Sequence, residues 1–432
     1  MTADGGSPAE VEGARHGRMP RRSAGRSAIT LIASALAVLL VAGAAVAAFV
    51  VVDLYRGLQQ RPPVELESER MLEGVPDIGA MEGGLTFFLA GSDKRPEDGA
   101  FGDPDEESGV LNDVNMLLHI SQDHSHVEVV SFPRDLLVDV PECPDPSGAE
   151  GETLAPMYGV KLNSVLHYGG VGCVVATIEQ LTGLTIPVAG VVEFYGVASL
   201  AEAVGGVEVC LAEPIDDPWS GLQLDAGTHS ITGMTALAFL RSRHGVGDGS
   251  DLGRISNQQA FLSSLMRTIQ GDGVLSDPVK LYAIAKAVLG NMQLSSYLQD
   301  PVTLISIART LQDVDLSKIV FVQYPTAYTS DFGAVVPTES ADALNAALVA
   351  DQPLQLAAEA TTDATYGTVP GEQPSAEASA PPTDAAPDAP PTDAPGEPPA
   401  EPPPTETPAQ VLPDDITGQT GAEVRCSTAN DR

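Results

Sequence analysis

Leu85-Thr86-Phe87-Phe88-Leu89-Ala90, running directly into Gly91-Ser92-Asp93-Lys94-Arg95, is the stretch that decides the fold. A short apolar run that stops at glycine and turns at once into a charged loop reads as a buried strand with polar side chains at its end. The pattern recurs downstream. Val114 to Ile120 and Val127 to Phe132 read as two further strands, joined as a hairpin through Asp123-His124-Ser125. The second of them ends in Phe132-Pro133-Arg134-Asp135. Between the first strand and this hairpin lies a loop of Gly, Pro and acid, from Gly99 to Gly109. Its Asp103, Asp105, Glu106 and Glu107 lack the calcium-loop pattern of an EF-hand and read as a solvated segment.

Further along, Val174, Ile178 and Leu181 stand at helical spacing, which predicts a helix over Cys173 to Leu181 that stops before Gly183. Val188 to Phe194 and Val207 to Leu211 are strand-like, with a helix predicted from Val197 to Val204. Thr232 is placed to cap a helix through Leu240, and Leu252 to Ile269 forms a longer amphipathic helix. Strands interleaved with helices predict an α/β sandwich around a mixed sheet. From Asp277 to about Leu348 the pattern is helical with one strand, Ile319 to Gln323. The domain is therefore placed at residues 84–270, with 271–350 as a C-terminal extension packed on it.

The two ends differ in character. Ala28 to Val52 carries no charged residue and, at about 25 residues, is long enough to span a bilayer. Arg15, Arg18, Arg21, Arg22 and Arg26 precede it and Asp53 follows, so the positive-inside rule puts residues 1–27 in the cytoplasm and the remainder outside. A cleaved signal peptide is the competing reading, because Ala45-Val46-Ala47 resembles a cleavage site. The apolar run is longer than an ordinary signal core, which favours a single-pass anchor. Residues 53–83 then form a polar stalk containing Pro62-Pro63. Residues 351–432 are dominated by Pro, Ala, Thr, Asp and Glu, too little apolar surface to offset ordering entropy, and are expected to be disordered and extended.

Charge sets the functional class. The 432 residues hold 22 Lys and Arg against 59 Asp and Glu, a formal net charge of -37, which excludes nucleic acid as a partner. Between Met71 and Ser263 the only basic residues are Lys94, Arg95, Arg134, Lys161, Arg241, Arg243 and Arg254. Most of them end an apolar run beside Asp, Asn or Gly, where loops carry function. Lys161-Leu162-Asn163-Ser164 opens a loop before a helix, and Arg241-Ser242-Arg243-His244 follows one. Asp251, Arg254 and Gln258 share one helical face. Were these ends to converge, Arg forks would grip phosphate oxygens and carboxylates would hold a divalent metal, a constellation suited to a pyrophosphate. The competing reading pairs each Arg with a neighbouring Asp at the surface. His119, His124, His126, His167 and His244 show no metal-binding spacing, and no nucleophile elbow is present.

These motifs, in this order, resemble the LytR-CpsA-Psr family of cell-wall glycopolymer ligases, over about Leu85 to Ile269 and including Ala203-Val204-Gly205-Gly206-Val207-Glu208-Val209. The cysteine positions and Pro-rich tail look more like actinobacterial members. The resemblance implies a three-layer α/β/α sandwich around a mixed sheet, with a hydrophobic cleft for a polyprenyl chain, behind one transmembrane helix. It implies transfer of a glycopolymer from a polyprenyl-pyrophosphate carrier to peptidoglycan by phosphoryl transfer. By the same likeness, Asp93 and Asp113 would hold magnesium or manganese. Arg95, Arg134, Lys161, Arg241, Arg243 and Arg254 would neutralise phosphate charge, Asn163 and Gln258 would assist, and Asp135 or Asp251 would orient the attacking hydroxyl. Two positions depart from the family pattern. Leu111-Asn112-Asp113-Val114 stands where the family reads Arg-Ser-Asp-Thr, and Asn257-Gln258-Gln259 where it reads Arg-Gln-Gln. Each loses an Arg, a change of about 1–3 kcal/mol if the lost contact were charge-assisted. A catalytically weakened, polyprenyl-phosphate-binding envelope scaffold or regulator is the alternative these departures raise.

Four cysteines, Cys143, Cys173, Cys210 and Cys426, contain no CxxC pair, which argues against zinc and thioredoxin-type chemistry. An even number suits an oxidising compartment. They permit three pairings, of which Cys143 with Cys173 and Cys210 with Cys426 is the favoured one.

Overall fold

The structure, a computed structural model, describes residues 24–58, 63–64, 66, 68, 84–94, 110–149, 151–271, 273–357, 366–367 and 408–430. The chain divides into two units, residues 1–55 and 56–432. The first contains most of α1 (Ala24–Leu58), whose stretch Ala28–Gly57 is long and apolar enough to cross a membrane. The helix therefore runs past Val52, the end expected from charge alone, because a single Asp53 does not interrupt helical propensity.

In the second unit, β1 (Leu85–Ser92), β2 (Asn112–Ile120) and β3 (Val127–Ser131) form an antiparallel meander. The β2–β3 turn places His124 in the left-handed region (φ 58°). Beyond it β4 (Leu137–Val140) turns out of the sheet. The short pair β5 (Cys143–Pro144) and β6 (Thr153–Leu154) follows, and then β7 (Met157–Lys161), which pairs with β4. The chain continues through α2 (Val165–Thr182), β8 (Val188–Val192), α3 (Phe194–Val204) and β9 (Val207–Leu211). Gly183, at φ 74°, caps α2 in the left-handed conformation that a side chain disfavours, which is why the helix stops there. A hairpin of β10 (Ile215–Asp217) and β11 (Leu222–Leu224) leads into β12 (Gly227–Ile231), α4 (Gly233–Arg241) and α5 (Asp251–Gly271). Thr232 sits at the α4 N-cap position, yet its side chain makes no capping hydrogen bond.

Past α5 come α6 (Pro278–Asn291), β13 (Met292–Leu294), α7 (Pro301–Asp313) and β14 (Ile319–Gln323). They are followed by the hairpin β15 (Thr326–Tyr328) and β16 (Val335–Pro337), α8 (Ser340–Val349) and β17 (Leu354–Gln355). The last strands are β18 (Tyr366–Gly367), β19 (Gln410–Val411), β20 (Gly418–Thr420) and β21 (Cys426–Ser427). The central sheet has seven strands in the order β13-β8-β1-β2-β3-β14-β20. Within it β1 runs parallel to β8 and β3 parallel to β14, while β2 is antiparallel to both β1 and β3. The four strands β1, β3, β8 and β14 thus end at one edge of the sheet, where β2 begins.

Three expectations are corrected here. Residues 271–350 are not an appended extension: β14 is fully buried and hydrogen-bonded inside the sheet, as its Ile-Val-Phe-Val sequence demands of a strand covered on both faces. Residues 408–430 are folded, contrary to the expectation for the tail. β20 adds to β14, β21 pairs with β9, and Leu412 and Ile416 are buried in the core. The residues between 368 and 407, where Pro and acid are densest, lie outside the described residues. The stalk is also shorter than expected, since Val64 is buried and bridges to Ser295.

One face of the sheet packs Phe88, Ala90, Leu117 and Val130 against α2 and α8, in the larger core. A second core gathers α3, α4 and α5 over β9 and β12. Disulfides join Cys143 to Cys173, tying the loop after β4 to α2, and Cys210 to Cys426, tying β9 to β21.

Candidate functional site

Strand alternation builds the cavity. Phe88 and Ala90 point into the larger core, so Leu89 and Gly91 face the opposite side. There, with Val114 and Met116 of β2 and Val192 of β8, they line a cavity of about 390 Å³. Its far wall is apolar too, from Phe194 and Val197 of α3, Leu237 and Leu240 of α4 and Leu262 of α5. A Cβ at Gly91 would meet the Val114 side chain at 2.7 Å, so glycine keeps β1 and β2 closely apposed at the cavity's edge.

Cations line this apolar space, beside Asp93 and Arg134 at the carboxyl ends of β1 and β3, where open α/β sheets place ligands. Arg134, Arg241, Arg243 and Arg254 all line it, with Asp93, Asp113 and Gln258. Arg134 follows Pro133 at the end of β3; its carbonyl accepts from the Asn163 backbone N–H (3.0 Å) and its own N–H donates to Asp251 Oδ2 (3.2 Å). Its Nη1 donates to Asp113 Oδ1 (2.9 Å), while Nε lies 3.5 Å from Asp135 Oδ2 and 3.8 Å from Asp251 Oδ1. Burial disfavours the charged guanidinium, but Asp113, Asp251 and Asp135 outweigh it and raise the Arg134 pKa above the ordinary arginine value. Arg254 is 6% exposed, paired with Asp251 one helical turn away, and its Nη2 donates to the Asp113 carbonyl (2.8 Å). These are not separate surface pairs. Asp113 and Asp251 are shared by Arg134 and Arg254, so these two cations belong to one network.

The loop Arg241 to His244 supplies the remaining cations, and the residue that shapes it is one the sequence reading did not single out. Asp217, 1% exposed at the end of β10, accepts from Ser242 Oγ (2.7 Å) and from the backbone N–H groups of Arg243 and Gly245 (both 3.3 Å). Its other oxygen accepts from Trp219 N–H (3.0 Å). Burial raises its pKa, but these donors prevail and hold it below the ordinary carboxylate range. A buried, ionised Asp217 thus fixes the backbone from which Arg241 and Arg243 project. The Arg241 guanidinium lies over the Phe194 ring (4.4 Å). Trp219, 80% exposed, approaches the His244 ring at 5.8 Å, and both line the cavity. The signal for Asp217 was faint: Asp217-Pro218-Trp219-Ser220-Gly221 reads as a turn, and the partners through which Asp217 holds the Arg241 loop are 25 residues or more away, beyond any local pattern.

The other expected residues fall as follows. Gln258 Nε2 donates to the Leu240 carbonyl (3.3 Å), linking α5 to α4 at the cavity wall. Lys161 Nζ donates to Asp135 Oδ1 (2.8 Å). Neither Lys161 nor Asn163 lines the cavity; Asn163 acts through its backbone N–H on Arg134. Asp135 and Asp251 line an adjoining second cavity that shares Arg243 with the first. Arg95 lies outside the described residues. Leu111, where the family has Arg, clamps Asp93 through its backbone: Leu111 N–H donates to Asp93 Oδ1 (2.6 Å) and Asp93 N–H to the Leu111 carbonyl (3.1 Å). Asn257 is buried away from the cavity.

For a divalent cation the donor set is two hard carboxylates, Asp93 and Asp113, on one cavity wall. Among the described residues no three His, Cys, Asp or Glu side chains gather into a metal cage. Magnesium commonly takes one or two carboxylates and completes its shell with water and substrate phosphates, so the residues fit an ion that binds together with a pyrophosphate.

Comparison with known proteins agrees with this architecture. Residues 58–350 match the family model of the LytR_cpsA_psr family. The cell wall biosynthesis protein LcpA of Corynebacterium glutamicum is 29% identical over 289 residues, covering 61% of this chain and 55% of LcpA. The polyisoprenyl-teichoic acid–peptidoglycan teichoic acid transferase TagT of Bacillus subtilis is 25% identical over 247 residues, covering 55% of this chain and 69% of TagT. This chain thus spans about half the length of its Corynebacterium relatives. Among solved structures, protein gbs0355 of Streptococcus agalactiae shares the fold with a TM-score of 0.50 at 21% identity, over 66% of this chain and 91% of that one. With its family model matched over most of the folded unit, the chain belongs to the LytR-CpsA-Psr family.

Proposed function

We propose that this protein transfers a glycopolymer from a polyprenyl-pyrophosphate carrier to peptidoglycan, outside the membrane that α1 crosses. The carrying observation is one cavity lined both by apolar side chains and by four arginines: Leu89, Met116, Val197 and Leu237 suit a prenyl chain, and Arg134, Arg241, Arg243 and Arg254 suit the diphosphate. The names of LcpA and TagT point the same way. The basic residues before Ala28 favour a cytoplasmic N-terminus.

In this reading the acceptor hydroxyl oxygen attacks the phosphorus that carries the glycopolymer. The new P–O bond forms as the bond to the prenyl phosphate breaks, leaving a phosphodiester and polyprenyl phosphate. Asp135 or Asp251 takes the hydroxyl proton. The arginines offset charge on the phosphoryl oxygens and the leaving group, positions at which fixed donors contribute most. Asp93 and Asp113 would hold magnesium or manganese, which when bound would neutralise further pyrophosphate charge.

The test is incubation of the full chain with lipid-linked glycopolymer and peptidoglycan. Transfer should fall about 100-fold or more in Arg134→Ala, the scale of one lost transition-state donor. A variant as fast as the parent would overturn the mechanism. Removal of divalent cations should weaken retention of the pyrophosphate lipid as well as its turnover, and unchanged retention would remove the metal.

A further inference from the structure

We propose that the second cavity is the subsite for the acceptor: a pyranose of the wall glycan, seated against Tyr328 and Phe332 with its hydroxyls toward Asp135 and Asp251. This deepens the transferase reading and rests on it. The cavity holds about 300 Å³, within the range of ligand sites, and opens beside the first, with Arg243 lining both. A sugar bound here would lie next to the diphosphate in the first cavity, as a direct displacement requires.

Its chemistry is that of carbohydrate recognition. Tyr328 and Phe332 lie in the β15–β16 hairpin with ring centroids 5.8 Å apart and line the cavity. Phe332 is 77% exposed and Tyr328 43%, so the two rings form one solvent-facing aromatic pair. The Phe332 backbone sits at φ 56°, a left-handed conformation that is costly for a bulky residue and that a glycine would relieve. The turn that imposes this geometry is held on several sides: Thr329 Oγ1 donates to Asp331 Oδ1 (2.6 Å), Gly333 N–H to the same oxygen (3.2 Å), and Phe332 N–H to the Thr329 carbonyl (2.9 Å). A strained, solvent-facing ring on a rigid turn is a pattern found where strain serves binding. The hairpin is also pinned to the catalytic loop, because Val335 N–H donates to the Asp135 carbonyl (3.1 Å). One face of a pyranose is a row of C–H groups, which pack on the negative face of an aromatic ring, while its rim of hydroxyls donates to carboxylates. Asp135 and Asp251 line the same cavity, Asp135 beside Lys161 and Arg134 and Asp251 beside Arg134.

Saturation-transfer NMR of the full chain in detergent micelles, with a tetrasaccharide of N-acetylglucosamine as probe, tests this. The parent should transfer saturation to the sugar, and Phe332→Gly and Tyr328→Ala should each bind about 10-fold more weakly, the effect of losing one aromatic contact. Phe332→Gly relieves the positive φ, so weaker binding there does not come from unfolding. In transfer assays both variants should raise the KM for the glycan and leave the KM for the lipid donor unchanged. Variants that bind the tetrasaccharide as tightly as the parent, or that lose the donor instead, overturn the subsite. A parent that binds the tetrasaccharide through the hairpin but transfers nothing would sink the transferase reading and leave the subsite standing. A parent that transfers, with both variants unaffected, would do the reverse.

Discussion

Arg134 and Arg254 are held by the same two carboxylates, Asp113 and Asp251, so neither arginine is idle in the absence of substrate. An incoming diphosphate would compete with those carboxylates, and would meet Arg241 and Arg243 lining the same cavity. Asp217 is the residue that sets the Arg241 loop. Asp217→Asn keeps the shape but turns an N–H toward donors, and should cost about 2–3 kcal/mol. The pH dependence follows from the depressed folded pKa of Asp217. Its stabilisation is complete above the unfolded value near pH 4 and is lost as pH falls through the lower folded value. The stability gap between parent and Asp217→Asn in urea unfolding should therefore stay constant from neutral pH to about 5 and close only in acid; a gap that opens in acid would be the wrong sign. Arg134, Arg241, Arg243, Arg254 and Gln258 were legible because each closes an apolar run or shares a helix face, whereas Asp113 came only from the family resemblance. Asp217 was not, because its meaning lies in hydrogen bonds to a loop distant in sequence.

At the scale of elements, the apolar cavity is a consequence of strand alternation on β1 and β2 meeting α3, α4 and α5 across a gap that side chains leave unfilled. Filling that gap should exclude the prenyl chain without touching the cations. Val197→Trp on α3 should lower the lipid that co-purifies with the chain by about 10-fold, if two or more methylene contacts are lost, while a short-chain donor still binds. Equal lipid retention would mean that the chain lies elsewhere. Periodicity made β1, β2, β3, β8 and β9 legible, along with α4 and α5. It placed Phe194 in a strand although it opens α3, because an apolar residue after a strand carries no signal of direction. It also made β14 an outlying strand, since parallel pairing with β3, nearly 190 residues earlier, has no local signature.

At the scale of the molecule, the end of the chain returns to the domain. Composition predicted disorder throughout 351–432, but Leu412, Ile416 and Cys426 are buried, and three apolar anchors in a Pro-rich and acidic segment are too sparse for periodicity to detect. Ile416→Ala should cost about 2–5 kcal/mol, as for other large-to-small changes in a packed core. The Cys210–Cys426 bond closes a loop of 216 residues, worth about 5 kcal/mol in the chain-entropy model. A Cys210→Ser, Cys426→Ser double variant should unfold at a clearly lower temperature under oxidising conditions and match the reduced parent; equal stability would mean that β21 contributes nothing to the fold. All of the functional reading depends on one greasy cavity and one set of guanidinium groups serving the same ligand. Native mass spectrometry of the full chain with added polyprenyl pyrophosphate tests that most directly. The account predicts one lipid per chain, lost both in an Arg241→Ala, Arg243→Ala double variant and in Val197→Trp. Lipid that survives either change, or a parent that retains none, would contradict it.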